Sequence, residues 1–200
     1  MKLVVCVTGA SGSLYARRTI ELVLAAKAGT LPGIDAQPDL HLSVVASQNA
    51  PQVWAHELGE PMPEQFGPTG ACQRWDRTNF SAPFASGSNA PDAVIVAPCS
   101  MSTLSRVANG GGSDLVARAC EVALKERKRL ILLARETPLS LVHLRNMVAA
   151  TEAGAIILPA IPSFYGDVQT VQDVVDTVVV RALDRAGLTL PVTRRWGDPA

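Results

Sequence analysis

Leu3-Val4-Val5-Cys6-Val7, followed directly by Thr8-Gly9-Ala10-Ser11-Gly12, opens the chain with a short β-branched apolar run and a turn of small residues. The run is too short for a helix, and Ser13 to Ala26 then takes up helical spacing. Strand, tight turn and helix in that order form the first half of a βαβ unit. The same order recurs outward along the chain. Leu42 to Ala46, Ala93 to Ala97, Leu130 to Ala134 and Ala155 to Leu158 are further short apolar runs, each followed by polar or glycine-rich residues and then a helical pattern. Such alternation predicts an α/β fold, a Rossmann-like three-layer sandwich with a parallel sheet flanked by helices.

Two hundred residues are enough for one continuous core without disulfide or metal support. A single domain is therefore expected over 1–189, and 190–200, with two prolines and Trp196, reads as a C-terminal arm. Residues 61–89, rich in Pro, Gly and Ser, read as an irregular excursion between the second and third runs. Hydrophobic residues make up 48% of the chain and charged ones 18%, a balance that implies surface buried between subunits of a homo-oligomer. The 18 basic and 18 acidic residues cancel, so no global field draws nucleic acid or an anionic membrane, and any anion site has to be local.

The cysteines Cys6, Cys72, Cys99 and Cys120 form no C-x-x-C pair and fall mostly in apolar runs, which reads as reduced core thiols. Met1-Lys2 is not followed by a secretory core, and no apolar run approaches membrane-spanning length, so the cytoplasm is the expected compartment. His41, His56 and His143 lack zinc-ligand spacing, and no catalytic metal is expected.

Ligands of open parallel sheets sit beyond the carboxyl ends of the strands, where helix N-termini and loop amides converge. The unusual polar residues of this chain fall there: Gly9-Ala10-Ser11-Gly12, Ser47-Gln48, Pro98-Cys99-Ser100-Met101-Ser102-Thr103 and Arg135-Glu136-Thr137-Pro138. Tyr15 replaces the third glycine of a dinucleotide fingerprint, and Ser47 stands where a nicotinamide enzyme wants an acid for the ribose. These ends suit a phosphate or a flavin better. Arg135 could bind phosphate through its planar fork while Glu136 accepts a proton, and Thr137-Pro138 is expected to start the next helix. Arg118 and Lys125, seven residues apart, project from one helix face about 10 Å apart along the axis. Alone they read as a solvated face with a Glu121 to Lys125 pair. Arg181 lies on the margin of a late helix whose apolar face is Val171, Val174, Val175, Val178 and Ala182, and alone reads as snorkelling. Tyr165 alone reads as a core aromatic with its hydroxyl at the surface. No G-x-S-x-G is present, so a hydrolase elbow is unsupported.

Taken in order, Thr8 to Gly12, Ala85-Ser86-Gly87-Ser88, Pro98 to Leu104, Ala123-Leu124-Lys125-Glu126-Arg127, Arg135 to Pro138, Pro162-Ser163-Phe164-Tyr165 and Arg195-Trp196-Gly197 resemble the UbiX-type flavin prenyltransferases over nearly the whole chain. The resemblance implies that Gly9, Ala10, Ser11, Ser47, Ser100, Met101, Ser102, Thr103 and Arg135 bind FMN. It implies that Tyr165, Arg181, Arg118 and Lys125 bind dimethylallyl phosphate, with Ser88 close by. Ser11, Glu57, Lys125 and Glu136 are the implied catalytic set, with sites assembled between subunits of a dodecamer. The implied reaction joins the dimethylallyl group to N5 and then C6 of reduced FMN, without a metal, for delivery to a UbiD-type decarboxylase. Two departures stand out: Phe80 where some members carry a tryptophan, and Gln48 where a basic residue often follows the serine. Two other functions are compatible with the fold: an FMN-dependent decarboxylase of cysteine substrates, for which Gln52 rather than His56 is near the expected histidine position, and a noncatalytic flavin carrier.

Overall fold

The computed structural model describes residues 1–68, 71–166 and 168–197. Seven strands among them form one sheet: β1 (Lys2–Val7), β2 (His41–Ala46), β3 (Gln65–Phe66), β4 (Cys72–Trp75), β5 (Ala93–Cys99), β6 (Arg129–Ala134) and β7 (Ile156–Pro159). Their order is β3-β4-β2-β1-β5-β6-β7, and every pairing except β3 with β4 is parallel. Parallel neighbours need a crossover. The helices that provide it or cover the sheet are α1 (Ser13–Ala28), α2 (Ala50–Leu58), α3 (Met101–Asn109), α4 (Leu115–Lys125), α5 (Leu141–Glu152) and α6 (Val171–Ala186).

Alternate residues of β1 enter different cores. Leu3, Val5 and Val7 pack with α1, α6 and Trp54 of α2, whereas Val4 and Cys6 pack with α3, α4 and Ala150 of α5. A strand covered on both faces is apolar throughout, which explains its unbroken hydrophobic run. All four cysteines are free and buried, Cys72 in the first core and the other three in the second. No helix among the described residues is long and apolar enough to cross a membrane.

The expected elements differ from the observed ones in three places. The excursion 61–89 contains β3 and β4, and β4 extends the sheet beside β2. Strands this short, carrying Gln65, Gln73 and Arg74, have no apolar periodicity to read, and pairing with β2 creates them. Residues 69 and 70 of this excursion, and 198–200 of the expected arm, lie outside the described residues. Thr137-Pro138, a cis peptide, does not begin a helix. Ser140 does: its hydroxyl accepts from the His143 amide at 3.3 Å while His143 Nδ1 accepts from the Ser140 amide at 3.2 Å, a capping box. On α6, Val171 is exposed and the buried stripe runs through Val175, Val178, Val179, Ala182, Leu183 and Ala186. Successive valines permit more than one helical phase, and contact with α1 selects this one.

That contact includes a charge pair at the α1–α6 seam. Arg18 donates from Nε at 2.6 Å and from Nη2 at 2.8 Å to the two oxygens of Asp176, which is 5% exposed and also accepts from Gln172 at 3.0 Å. Arg18→Met should cost about 3 kcal/mol, the scale of stranding a buried carboxylate. A lowered urea midpoint would report this, and adding Asp176→Leu should recover most of the loss.

Candidate functional site

The carboxyl ends of β1 and β5 are joined through one hydroxyl. Thr8 Oγ1 donates to the Pro98 carbonyl at 2.6 Å and accepts from the amide of Ser100 at 3.0 Å, with the Ala10 amide at 3.5 Å. The side chain is buried, so these bonds are shielded from competing water. In the sequence Thr8 is one residue of a turn, and nothing marks it as the link between two strand ends 90 residues apart.

The turn is pressed against its neighbours. A Cβ on Gly9 would lie 2.9 Å from Cβ of Asn49, so the turn abuts the start of α2. Gly12 has φ 118°, and a Cβ there would meet the Tyr15 ring at 2.8 Å. Tyr15 is thus accommodated by lying over Gly12. Partial burial pushes its phenol above the usual range against the opposing pull of Arg135.

The first amides of α1 have an acceptor supplied by α2. Glu57 accepts from Gly12 N at 3.0 Å through each oxygen and from Ser13 N at 2.7 Å through Oε2. Partial burial works to raise its pKa, but hydrogen bonds from the Ser11 side chain, from the amide and hydroxyl of Ser13 and from the Gly12 amide together outweigh it, so the carboxyl is held below its ordinary value. Glu136, exposed like Glu57, accepts among the described residues only from the neighbouring Thr137 amide, at 3.1 Å.

At α3 the cap is internal. Ser100 Oγ accepts from the Thr103 amide at 3.3 Å and donates to Thr103 Oγ1 at 3.1 Å. Met101 and Ser102, at the first two helical positions, keep amides without an intrahelical acceptor. Arg135 leaves β6 and donates from Nε to the Ser11 carbonyl at 2.9 Å, and its terminal nitrogens bond to nothing among the described residues. Ser47, whose amide donates to the Val7 carbonyl at 2.8 Å, brings a further hydroxyl to the same end of the sheet. An open cleft of about 930 Å³ lies between the Gly9 to Gly12 turn and α2.

The remaining residues expected at the site lie in two other places. Arg118 of α4 donates to the Ala85 carbonyl at 2.9 Å, and Lys125 and Glu126 flank Gly87, so both cations border the turn that carries Ser88. Lys125 ends α4 just ahead of β6, at the opposite end of the sheet from Arg135. The expected Glu121 to Lys125 pair is absent among the described residues: Glu121 faces Arg118 at 3.5 Å, and Lys125 pairs with Glu126. Tyr165 and Arg181 line a separate cleft of about 550 Å³ with Trp196 and Arg195, sharing no residue with the first. Tyr165 is 61% exposed and meets Trp196 edge to face at 5.5 Å, so it is no core aromatic. Phe80 is half exposed on the loop after β4.

Residues 1–183 match the family described as Flavoprotein. The flavin prenyltransferase UbiX of Methanocaldococcus jannaschii is 40% identical to this chain over 197 residues, covering 98% of this chain and 99% of its own. The chain belongs to the UbiX flavin prenyltransferase family. The structure of AnUbiX in complex with FMN and dimethylallyl pyrophosphate is 35% identical with a TM-score of 0.80, covering 99% of this chain and 98% of that one. A dodecameric FMN-dependent UbiX-like decarboxylase from Escherichia coli O157:H7 is 34% identical with a TM-score of 0.84, covering 99% of this chain and 100% of its own. Both likenesses span this UbiX-family chain from the β1 turn to the arm.

The lowered pKa of Glu57 fixes the sign of a pH effect. Its stabilising contribution is fully present above the unfolded carboxyl value of about 4.3 and disappears as pH falls through the folded value. Glu57→Gln should therefore cost stability near neutral pH, about 1 kcal/mol or less because the group is solvent-screened, and the gap should close below about pH 4. Urea midpoints of both proteins across that range measure it.

Proposed function

We propose that the protein transfers the dimethylallyl group of dimethylallyl phosphate to N5 and C6 of reduced FMN, giving prenylated FMN for a UbiD-type decarboxylase. The observation that supports this most is the donor set at the strand ends. The Arg135 fork, with Nε engaged by Ser11, and the uncommitted amides of Met101 and Ser102 suit a single phosphate. Gly9 and Gly12 keep the β1 turn low enough for a flat ring to approach the backbone, and the hydroxyls of Ser11, Ser47 and Ser102 can meet its polar edge. These residues fit FMN, which we assign to them with Ala10, Ser100 and Thr103 as the surrounding turn. Reduced FMN would supply two nucleophilic positions: N5 for a bond to the allylic carbon, formed as the C–O bond breaks and phosphate leaves, and C6 for a bond to the far carbon of the prenyl double bond, formed as that double bond takes up a proton and C6 loses one.

The protein's own part is electrostatic and acid–base. Arg118, Lys125 and Arg181, with the Tyr165 hydroxyl, would hold the donor's phosphate and stabilise its departing charge, supplying the positive charge a metal would otherwise bring. Within one chain they form two groups, Arg118 with Lys125 and Tyr165 with Arg181, that stand apart from Arg135 and from each other, so the reading needs neighbouring subunits to complete each site. Exposed apolar residues on α5, among them Leu141, Val142 and Val148, offer surface for such assembly, and we infer a homododecamer. Residues 1–189 would form the flavin-binding domain. The arm would act as a prop for the donor site, since Trp196 lies on Tyr165 and Arg195 pairs with Asp184 at 2.9 Å. Ring closure releases a proton from C6. Glu136 is the better acceptor, because Glu57 is committed to α1 and held ionised by those bonds. Phe80, beside the donor, would attract a cation-like prenyl group less strongly than a tryptophan.

The protein mixed anaerobically with reduced FMN and dimethylallyl phosphate should release a flavin heavier by one five-carbon unit, as read by mass spectrometry. Unchanged flavin would overturn the transferase reading in favour of a carrier, and decarboxylation of a cysteine substrate with FMN alone would favour the decarboxylase. Glu136→Gln should accumulate flavin that is alkylated but not ring-closed. Arg181→Ala should weaken dimethylallyl phosphate by about tenfold, near 1.4 kcal/mol, and FMN far less, whereas equal losses of both would remove Arg181 from the donor site.

A further inference from the structure

We propose that Glu57 restricts this site to a mononucleotide, because its carboxylate fills the anion position at the N-terminus of α1 that the pyrophosphate of a dinucleotide requires. The inference rests on the flavin reading of the site and concerns which flavin nucleotide enters it.

In doubly wound sheets the turn after the first strand and the first amides of the following helix receive a pyrophosphate, since those amides lack intrahelical partners and the helix dipole favours an anion there. In this chain the position is already taken by an anion of the protein itself. Gly12 provides no side-chain cap to α1, and both oxygens of Glu57 fill the gap, at 3.0 Å from Gly12 N and 2.7 Å from Ser13 N. The carboxylate is solvent-exposed, but its position is set by the helix that carries it. It sits in the last turn of α2, and the start of α2 is held against the same β1 turn by the contact of Gly9 with Asn49. Both ends of α2 therefore touch the turn whose amides Glu57 accepts. The hydrogen bonds that hold the carboxyl below its usual range also keep it charged at neutral pH.

A pyrophosphate brought to these amides would find its donors used and a like charge in contact, a juxtaposition that disfavours binding. The α3 side of the site is the reverse case. Among the described residues its leading amides and the Arg135 terminal nitrogens have no partner, so a single phosphate has a place there. The end of β2 agrees, since Ser47 offers no carboxylate for the ribose of an adenosine half.

The test compares FMN, FAD and ADP binding to the full-length protein and to its Glu57→Ala and Glu57→Gln variants, by flavin fluorescence and by calorimetry for ADP. The wild type should favour FMN over FAD by about a hundredfold, and Glu57→Ala should shrink that preference at least about tenfold and gain measurable ADP affinity. Glu57→Gln, which still offers one amide oxygen but no charge, should fall between them. An unchanged FMN to FAD ratio in either variant overturns the proposal, as does a parallel loss of both flavins, which would make Glu57 only a brace for the turn. If Glu57→Ala does not fold, the ratio for Glu57→Gln decides. Absence of FMN binding by the wild type would instead overturn the flavin reading, a result separate from preserved FMN binding with unaltered discrimination.

Discussion

The central strands β1, β5 and β6 are covered by helices on both faces, so their backbone and side chains can meet a ligand only beyond the strand ends. Everything functional about this end of the molecule depends on how those ends are held in register. Thr8 does much of this with one buried hydroxyl, tying the turn after β1 to the turn after β5. The Arg135 to Ser11 bond then brings the end of β6 to the same turn. The result is a rigid floor made from three strand ends that are far apart in sequence.

On that floor the two helix N-termini are treated differently. The one at α1 is neutralised internally by Glu57, while the one at α3 is capped by Ser100 and keeps its leading amides available. A fold that elsewhere serves dinucleotides is thereby narrowed to one anion position. The same arrangement separates the roles of two carboxylates. Both are exposed, but Glu57 is drawn into several hydrogen bonds and stays ionised, whereas Glu136 is lightly bonded.

The groups we assign to the donor site follow another logic. Arg118 and Lys125 border the Gly87 turn, and Tyr165 and Arg181 share a cleft with the arm. Long side chains at a surface hold little geometry unless something packs against them. In a single chain Tyr165 has Trp196 beside it, and Arg181 has Asp184 at 4.0 Å. This spread, together with the apolar exposed residues of α5, is what motivates our proposal that the site is completed at a shared interface.

The α/β class and the central strands were legible in the sequence, because runs such as Leu3 to Val7 and Leu130 to Ala134 are buried on both faces and carry an unbroken apolar signal. The strand-end turns were legible for a related reason, since small and polar residues there interrupt that signal at fixed places. The short strands β3 and β4, the phase of α6 and the start of α5 were not, because each depends on a partner brought close only by the fold. Arg118, Lys125, Tyr165 and Arg181 were named through family resemblance, while alone the three cations suggested ordinary surface residues and Tyr165 a core aromatic. The local pattern of the chain thus determined which elements form and which residues reach the strand ends. Tertiary structure decided that Thr8 would lock two of those ends and that Glu57 would cap α1, since a hydrogen bond between residues tens of positions apart leaves no periodic trace in the sequence.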